Sequence, residues 1–495
     1  MAAAQIDSRV RIHEAARGMM VMSVRKMFVA VLIGCCLAAL AAGALLIVGF
    51  KQEPVLCHIV FMVALNLLFG IMYVHKARIR SPFTDIVIVM LLFFTLYAVA
   101  YPLDDLLGSI QDISEEQLLD NLQIFSLANL CLVAGMFIAG CFMKSPRRNN
   151  ETIQPENALS LEAGLTYPFL FWPALIVLFI GACIMIYDFS RLGGWSVIGI
   201  SNRMNNFQAQ RQLEGLSLPW KSIMSSAMLM LALSIRGKWQ FRFFLILMFS
   251  FSLFYFMGLG SRSIILSTFL PSLGVLIAKG FIPLNRRLNL LFFITLLLLL
   301  SPLFSAVRLS LMEDIPLSAL PAKYWSFSAG ETGSSFQVTM DITATNTYPE
   351  ADATYTTAVA YVLPAAVYKA AFGHAKPKNL GDWYVWYFYP YIYGEGGGRG
   401  FSPVAQAWMN GQYSGVMIVF FIIGFLTMRM TRGRLLQYVC LPLVILFQRS
   451  SFHAVMSELL FNLAFIGCIM LLAAIMRSQH IRRQPAHSRM PKIMV

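Results

Sequence analysis

Residues 84–101 read TDIVIVMLLFFTLYAVAY, a stretch whose only charge, Asp85, sits at its edge. Its length decides its use, because about 17–25 predominantly apolar residues cross the hydrocarbon core of a bilayer as a helix. Just before it, HKARIR (75–80) carries three basic residues; just after it, 102–121 carries Asp104, Asp105, Asp112, Glu115, Glu116 and Asp120. Basic residues near the ends of spans are retained in the cytoplasm. The helix therefore leaves the cytoplasm in the direction of the chain, and the acidic segment lies outside. With Leu and Ile interspersed, that segment reads either as a solvated connection or as a short amphipathic helix on the membrane surface.

The same pattern extends in both directions. Apolar runs fall near 27–49, 54–74, 84–101, 122–143, 167–189, 219–235, 241–259, 264–279, 288–306, 411–429, 435–448 and 454–476, about twelve in all. With a cytoplasmic N-terminus, the cytoplasmic segments hold about 25 of the 38 Lys and Arg, while about 18 of the 24 acids fall in outer segments and helices. The net charge of +14 is thus a topology signal, and no nucleic-acid partner is expected. Composition agrees: 58% of residues are hydrophobic, 13% are charged and mean hydropathy is +0.68, whereas soluble domains carry about 25% charged residues.

The expected protein is an all-α, polytopic integral membrane protein. It has a cytoplasmic basic tail (1–26) and nine spans over 27–306, interrupted by outer loops 102–121 and 190–218. A large outer loop (307–410), three more spans (411–476) and a second cytoplasmic tail (477–495) follow. The first run lacks a clear small-residue cleavage site and reads as a retained helix. All eight cysteines (Cys35, Cys36, Cys57, Cys131, Cys141, Cys183, Cys440, Cys468) lie in apolar runs, where they act as small hydrophobes and suggest neither disulfides nor a metal set.

The outer loop of about 100 residues is too long to be structureless. Residues 354–372 (TYTTAVAYVLPAAVYKAAF) read as an amphipathic or re-entrant helix interrupted at Pro364. WYVWYFYPYIY (383–393), with Trp383 and Trp386, is either an interfacial aromatic belt or a platform on which sugar rings stack; a lipid-linked sugar would sit at that depth. The shorter loop 190–218 contains Arg191, Arg203 and Arg211 against the charge rule, which fits either tolerance or a basic patch facing an anionic substrate.

Soluble-enzyme motifs are missing: no Walker lysine loop, HExxH, GxSxG or CxxC occurs. No Asp-x-Asp lies on the outer side, so neither a divalent metal nor a cofactor is indicated. Membrane-embedded acids are few, chiefly Asp188 and Glu458 near helix ends, which argues against an ion-coupled transporter. What remains is a set of arginines at outer helix mouths. Arg262 lies in Gly-Leu-Gly-Ser-Arg-Ser (258–263), Arg399 in Gly394-Glu-Gly-Gly-Gly-Arg-Gly400, and Arg449 where the eleventh run emerges. His453 follows Arg449 by four residues and shares its face if the segment is helical. Guanidinium groups make forked, permanently charged contacts with phosphate oxygens, although each arginine alone is equally an ordinary snorkelling residue. Glycines beside Arg399 permit close backbone approach and loop closure.

These residues carry a resemblance. Gly260-Ser-Arg-Ser263, Tyr-Thr-Thr-Ala-Val-Ala-Tyr-Val-Leu-Pro (355–364) followed by Lys376-Pro377, GRGFSPVAQAWMNGQYSG (398–415) and Arg449 together resemble the Wzy-type O-antigen and exopolysaccharide repeat-unit polymerases of bacterial inner membranes. The likeness spans roughly 190–460. It implies a GT-C-like fold, with a glycan passed from undecaprenyl diphosphate to a lipid-linked repeat unit on the periplasmic face. The lipid-linked oligosaccharide and membrane lipid are the implied partners, with a chain-length regulator and a flippase alongside.

In that setting Arg262, Arg399 and Arg449 would bind diphosphate without a metal, and Arg203, Arg211, Trp383 and Trp386 would hold the glycan. Glu395 and His453 are the candidate catalytic groups, with Asp382 also in reach. Two departures stand out. Gln406 occupies a position where these polymerases often place Glu. Phe401-Ser402 stand where the related O-antigen ligases show a His, which favours polymerase over ligase. A lipid-linked oligosaccharide transporter is the third reading.

Overall fold

The computed structural model describes residues 54–77, 85–108, 114–142, 167–192, 219–259, 262–282, 315–320, 331–348, 365–376, 379–394, 399–432 and 434–483, with isolated positions between. The run at 27–49 and nearly all of 288–306 lie outside the described residues, as does 195–218 with Arg203 and Arg211. All regular structure among the described residues is helical. The chain divides into two compact units, Met1–Arg78 and Ile79–Val495. In the first, one helix is described, α1 (Pro54–Ala77), whose leading proline suits the first helical position.

The second unit opens with α2 (Ile86–Leu106), α3 (Glu115–Phe142), α4 (Phe171–Leu192), α5 (Trp220–Ser234), α6 (Lys238–Leu259) and α7 (Arg262–Ala278). Residues 331–409 supply α8 (Glu331–Thr345), α9 (Ala365–Phe372), α10 (Leu380–Phe388), α11 (Pro390–Gly394) and α12 (Pro403–Met409). The chain then re-enters the bundle through α13 (Gln412–Met430), α14 (Arg434–Phe447) and α15 (Phe452–Arg483). Six described helices, α1 to α4, α13 and α15, contain stretches long and apolar enough to cross a membrane, and Leu435–Phe447 is a shorter apolar helix. The protein is therefore a multi-pass membrane protein.

Registered contacts give the helix directions. Trp220 Nε1 donates to Asp188 near the end of α4 (3.2 Å), and the Tyr167 N–H reaches the Leu233 carbonyl at the other end (3.2 Å). Thus α4 and α5 are antiparallel. Ser225 meets Thr268 (3.0 Å), while Lys279 Nζ donates to the Ala232, Leu233 and Ile235 carbonyls, which makes α5 and α7 parallel. Ser222 bonds Glu458 and Ser226 bonds Asn462 (3.1 Å), placing α15 parallel to α5. One end of the bundle carries Arg236, Lys238 and Lys279; the opposite end carries Asp188, Trp220 and the start of α7.

Helices α3 and α13 run side by side at glycine contacts. A Cβ on Gly424 would overlap the Leu132 carbonyl, and one on Gly135 would overlap the Phe421 carbonyl. Close backbone approach through small residues is how membrane helices gain packing where burial from water contributes nothing. Gly135→Val or Gly424→Val is expected to lower the unfolding midpoint in detergent by several degrees, an overpacking cost of about 1–3 kcal/mol or more. Gly467→Ala, which faces open space, is the control.

Two sequence expectations are corrected here. The acidic segment 102–121 is largely helix end: α2 continues to Leu106, and Glu115 and Glu116 form the first turn of α3, where negative charge suits the helix dipole. Arg449 and His453 do not share a continuous helix. Helix α14 stops at Phe447 and α15 starts at Phe452, with a turn between.

Candidate functional site

The site is built around a polar helix that sinks into the bundle. Phe447 at the end of α14 packs on Phe420 (6.3 Å between ring centres), and Phe420 packs on Phe94 in the middle of α2 (5.6 Å). The turn after α14 is therefore level with the middle of α2, well short of its C-terminal end. The Ser335 hydroxyl, in the first part of α8, donates to the Gln448 carbonyl in that turn (2.6 Å). Further along α8, Phe336 stacks against Tyr101 (5.6 Å) and Phe125 (4.9 Å), and Thr343 reaches Asn121 (3.2 Å). Helix α8 thus rises from a recess among α2, α3 and α14. Buried polar groups are tolerated at such depth only when bonded. Thr339 Oγ1 lies 2.8 Å from Ser402 Oγ, and Gln117 Nε2 lies 3.4 Å from the Met340 carbonyl.

The other side of α8 is apolar. Val338 and Ile342 pack with Leu380, Trp383, Tyr384 and Val385 of α10 and with Phe401 and Ala405. This small core fixes residues 399–402 against the turn 448–451. The Phe401 N–H donates to the Arg449 carbonyl (2.8 Å), and a Cβ on Gly400 would stand 2.8 Å from that oxygen. Arg399 and Arg449, some fifty positions apart, are in this way held in neighbouring backbone.

The same contacts explain why α14 and α15 are not continuous. A continuing helix would bond the Gln448 carbonyl to the Phe452 N–H. Instead that carbonyl accepts from Ser335, and the Phe452 N–H is taken by Gln406 Oε1 (2.7 Å). Ser451 Oγ donates to Asn379 Oδ1 (3.2 Å), which also caps α10 by accepting from the Gly381 N–H (3.2 Å).

Arg399 is half-buried and closely held. Its guanidinium lies 3.9 Å over the Tyr389 ring, and Nη1 donates to Gln337 Oε1 (2.6 Å). Gln337 Nε2 donates to the Tyr389 hydroxyl (3.0 Å), and that hydroxyl donates to Asp341 Oδ2 (2.8 Å). Tyr384 donates to the same carboxylate oxygen. Gln337 and Asp341 share a face of α8 at i, i+4 spacing. Burial first, then the Asp341 charge, pushes both phenols above their ordinary range, so both remain O–H donors at neutral pH. Sequence reading missed Gln337, Asp341, Tyr384 and Tyr389 as a group; the dense aromatic stretch was the only pointer to two of them.

The remaining residues singled out from sequence are distributed as follows. His453 is 4% exposed and packs edge-on to Tyr361 (5.4 Å). Gln406 is fully buried, and because its Oε1 accepts from Phe452, its amide nitrogen faces His453 Nδ1 (3.4 Å). That makes Nδ1 an acceptor and leaves the ring proton on Nε2. Gln406, in the place where the resemblance expects Glu, thus caps α15 and orients the histidine.

Trp383 faces inward at 9% exposure, whereas Trp386, Tyr387 and Tyr391 present exposed faces. Arg262 is the first residue of α7, at the same end of the bundle as the turn 448–451. Glu395 lies outside the described residues. The break expected at Pro364 falls between a short 3-10 turn, Ala360–Val362, and α9. A second charged group, also missed, lies at the same end: Lys221 interacts with Glu458 and Asp188.

These features define the class: a multi-pass helical membrane protein in which the segment between α7 and α13 packs against the helices and brings the backbones of Arg399 and Arg449 together. The chain matches the family model O-antigen polysaccharide polymerase Wzy over residues 26–480, nearly its whole length, and belongs to that family. Family membership makes it a glycosyltransferase-like polymerase that acts in the membrane on lipid-linked oligosaccharide repeat units. No curated protein and no solved structure matches the chain.

Proposed function

We propose that the protein elongates a surface polysaccharide on the periplasmic face of the bacterial inner membrane. A glycan is transferred from undecaprenyl diphosphate to the terminal sugar of an incoming lipid-linked repeat unit. The observation that carries this reading is the Phe401 N–H bond to the Arg449 carbonyl, which holds the backbone segments bearing Arg399 and Arg449 side by side. Breaking an anomeric C–O bond to diphosphate chiefly requires stabilisation of the negative charge that develops on the leaving group. Guanidinium groups at a recessed, low-dielectric helix mouth supply it, so the reaction proceeds without a metal.

Arg262, beginning α7 at that end, joins the diphosphate site, and Arg203 and Arg211 assist with anionic substrate. Trp386 provides a face for sugar rings, with Trp383 supporting it from below. Glu395 and His453 border the reaction centre, His453 as an N–H donor to the glycan. In this arrangement the fold is GT-C-like with about twelve spans and both termini are cytoplasmic. A chain-length regulator and a flippase act beside it.

The direct test is reconstitution. Purified protein in liposomes should convert undecaprenyl-diphosphate-linked repeat units, extracted from cells lacking this protein, into a ladder of longer lipid-linked chains. Movement of the repeat units across the bilayer with no elongation would instead indicate a transporter. Transfer of finished chains to a different lipid acceptor would indicate a ligase.

A further inference from the structure

Asp341 is the carboxylate that the arginine network surrounds. Its Oδ2 accepts two hydrogen bonds, from Tyr384 and Tyr389, while Oδ1 accepts none among the described residues. The residue is half-buried. The phenol on one side also bonds Gln337, which in turn bonds Arg399. One oxygen is thus anchored, the other makes no hydrogen bond among the described residues, and the anchor is linked through Gln337 to an arginine assigned to the diphosphate. The titratable groups that interact with it are Tyr101 of α2 and Tyr384 and Tyr389 from the α10 region.

We infer that Asp341 is the general base that accepts the proton of the attacking sugar hydroxyl, an inference that rests on the polymerase reading above. The acceptor O–H bond breaks and its proton passes to Asp341 Oδ1. The hydroxyl oxygen forms the new bond to the anomeric carbon. The bond from that carbon to the diphosphate oxygen breaks, and its electron pair leaves with undecaprenyl diphosphate, whose charge the arginines hold. Positioned general bases contribute about 10²–10⁴-fold. Tyr384 and Tyr389 are positioning residues: their hydroxyls fix the carboxylate so that one lone pair faces the acceptor. His453 is less suited to the role, because Nδ1 is engaged by Gln406 and Nε2 carries a proton.

The test uses the full-length protein in liposomes with the same extracted lipid-linked repeat units. Asp341→Asn keeps the shape and an oxygen for the two phenols. It is expected to lower kcat by about 10²-fold or more with little change in KM. Asp341→Glu, which retains a carboxylate, should keep a measurable part of kcat where Asp341→Asn does not, and it carries the test if the Asn variant is not recovered folded. Wild-type kcat in Asp341→Asn, or loss in Asp341→Glu as deep as in Asp341→Asn, would overturn the assignment. Should Arg399→Ala lose activity while Asp341→Asn does not, the polymerase reading stands and only the base is wrong. Failure of the wild-type protein to elongate at all removes the reading on which the base rests.

Discussion

Arg399→Ala abolishes long-chain polymer and leaves single repeat units on the carrier lipid, while the protein stays inserted and at normal abundance. The size of the effect follows from what the guanidinium faces. Removing one preorganised donor from a developing negative charge costs about 10²–10³ in turnover, and a processive polymer multiplies that loss over every added unit. The fold should survive because the partners of Arg399 keep each other: Gln337 still donates to Tyr389, and Tyr389 still donates to Asp341. Arg399→Lys should recover only a small fraction of activity. An ammonium placed on the Tyr389 face retains the cation–π contact but cannot bond Gln337 and a phosphate as a fork. Arg449→Ala is expected to have the same product profile. Polymer analysis from cells expressing each variant decides it; wild-type chain lengths in both alanine variants would remove the arginines from the diphosphate site.

The spans were legible in the sequence because their signal is local. An unbroken apolar stretch such as 84–101 must pass through lipid wherever the rest of the chain goes, and flanking basic residues give its direction. The close backbone contact at Gly400 was legible for a related reason, since a glycine-rich stretch announces close backbone approach. Helix α8 was not legible. Its sequence, ETGSSFQVTMDITAT, is half small polar residues, and it enters the bundle only because distant groups satisfy its hydroxyls. Ser335 is paired with Gln448 and Thr339 with Ser402. Asp341 likewise had no spacing signature, because Tyr384 and Tyr389 reach it from more than forty residues away. The expected single helical face for Arg449 and His453 failed on tertiary competition: the carbonyl and N–H needed to continue α14 are bonded to Ser335 and Gln406 instead.

Gly400→Ala is the second large effect, and it comes from a residue that carries no chemistry. The added Cβ would stand 2.8 Å from the Arg449 carbonyl, 3.3 Å from Ser334 Oγ and 3.4 Å from Arg449 Cβ. The serine hydroxyl is able to turn aside, but the carbonyl is backbone and accepts the Phe401 N–H at 2.8 Å. Relief must come from moving segment 399–402 away from the turn 448–451, which lengthens that bond and separates the two arginine-bearing segments. A misplacement of about 1 Å at a reacting centre costs on the order of 10²-fold, so polymer length should collapse nearly as far as in Arg399→Ala. Stability should change much less, because the packing of Val338 and Ile342 with Leu380, Trp383, Tyr384 and Val385 lies outside that segment. Gly394→Ala supplies the internal control: it belongs to the same glycine-rich stretch, yet a Cβ there meets nothing within 4 Å. If the glycines served only to make the loop supple, both substitutions would act alike. If Gly400 is the point where two arginine-bearing segments are held in contact, only Gly400→Ala shortens the polymer, and substrate binding to the purified variant weakens together with turnover.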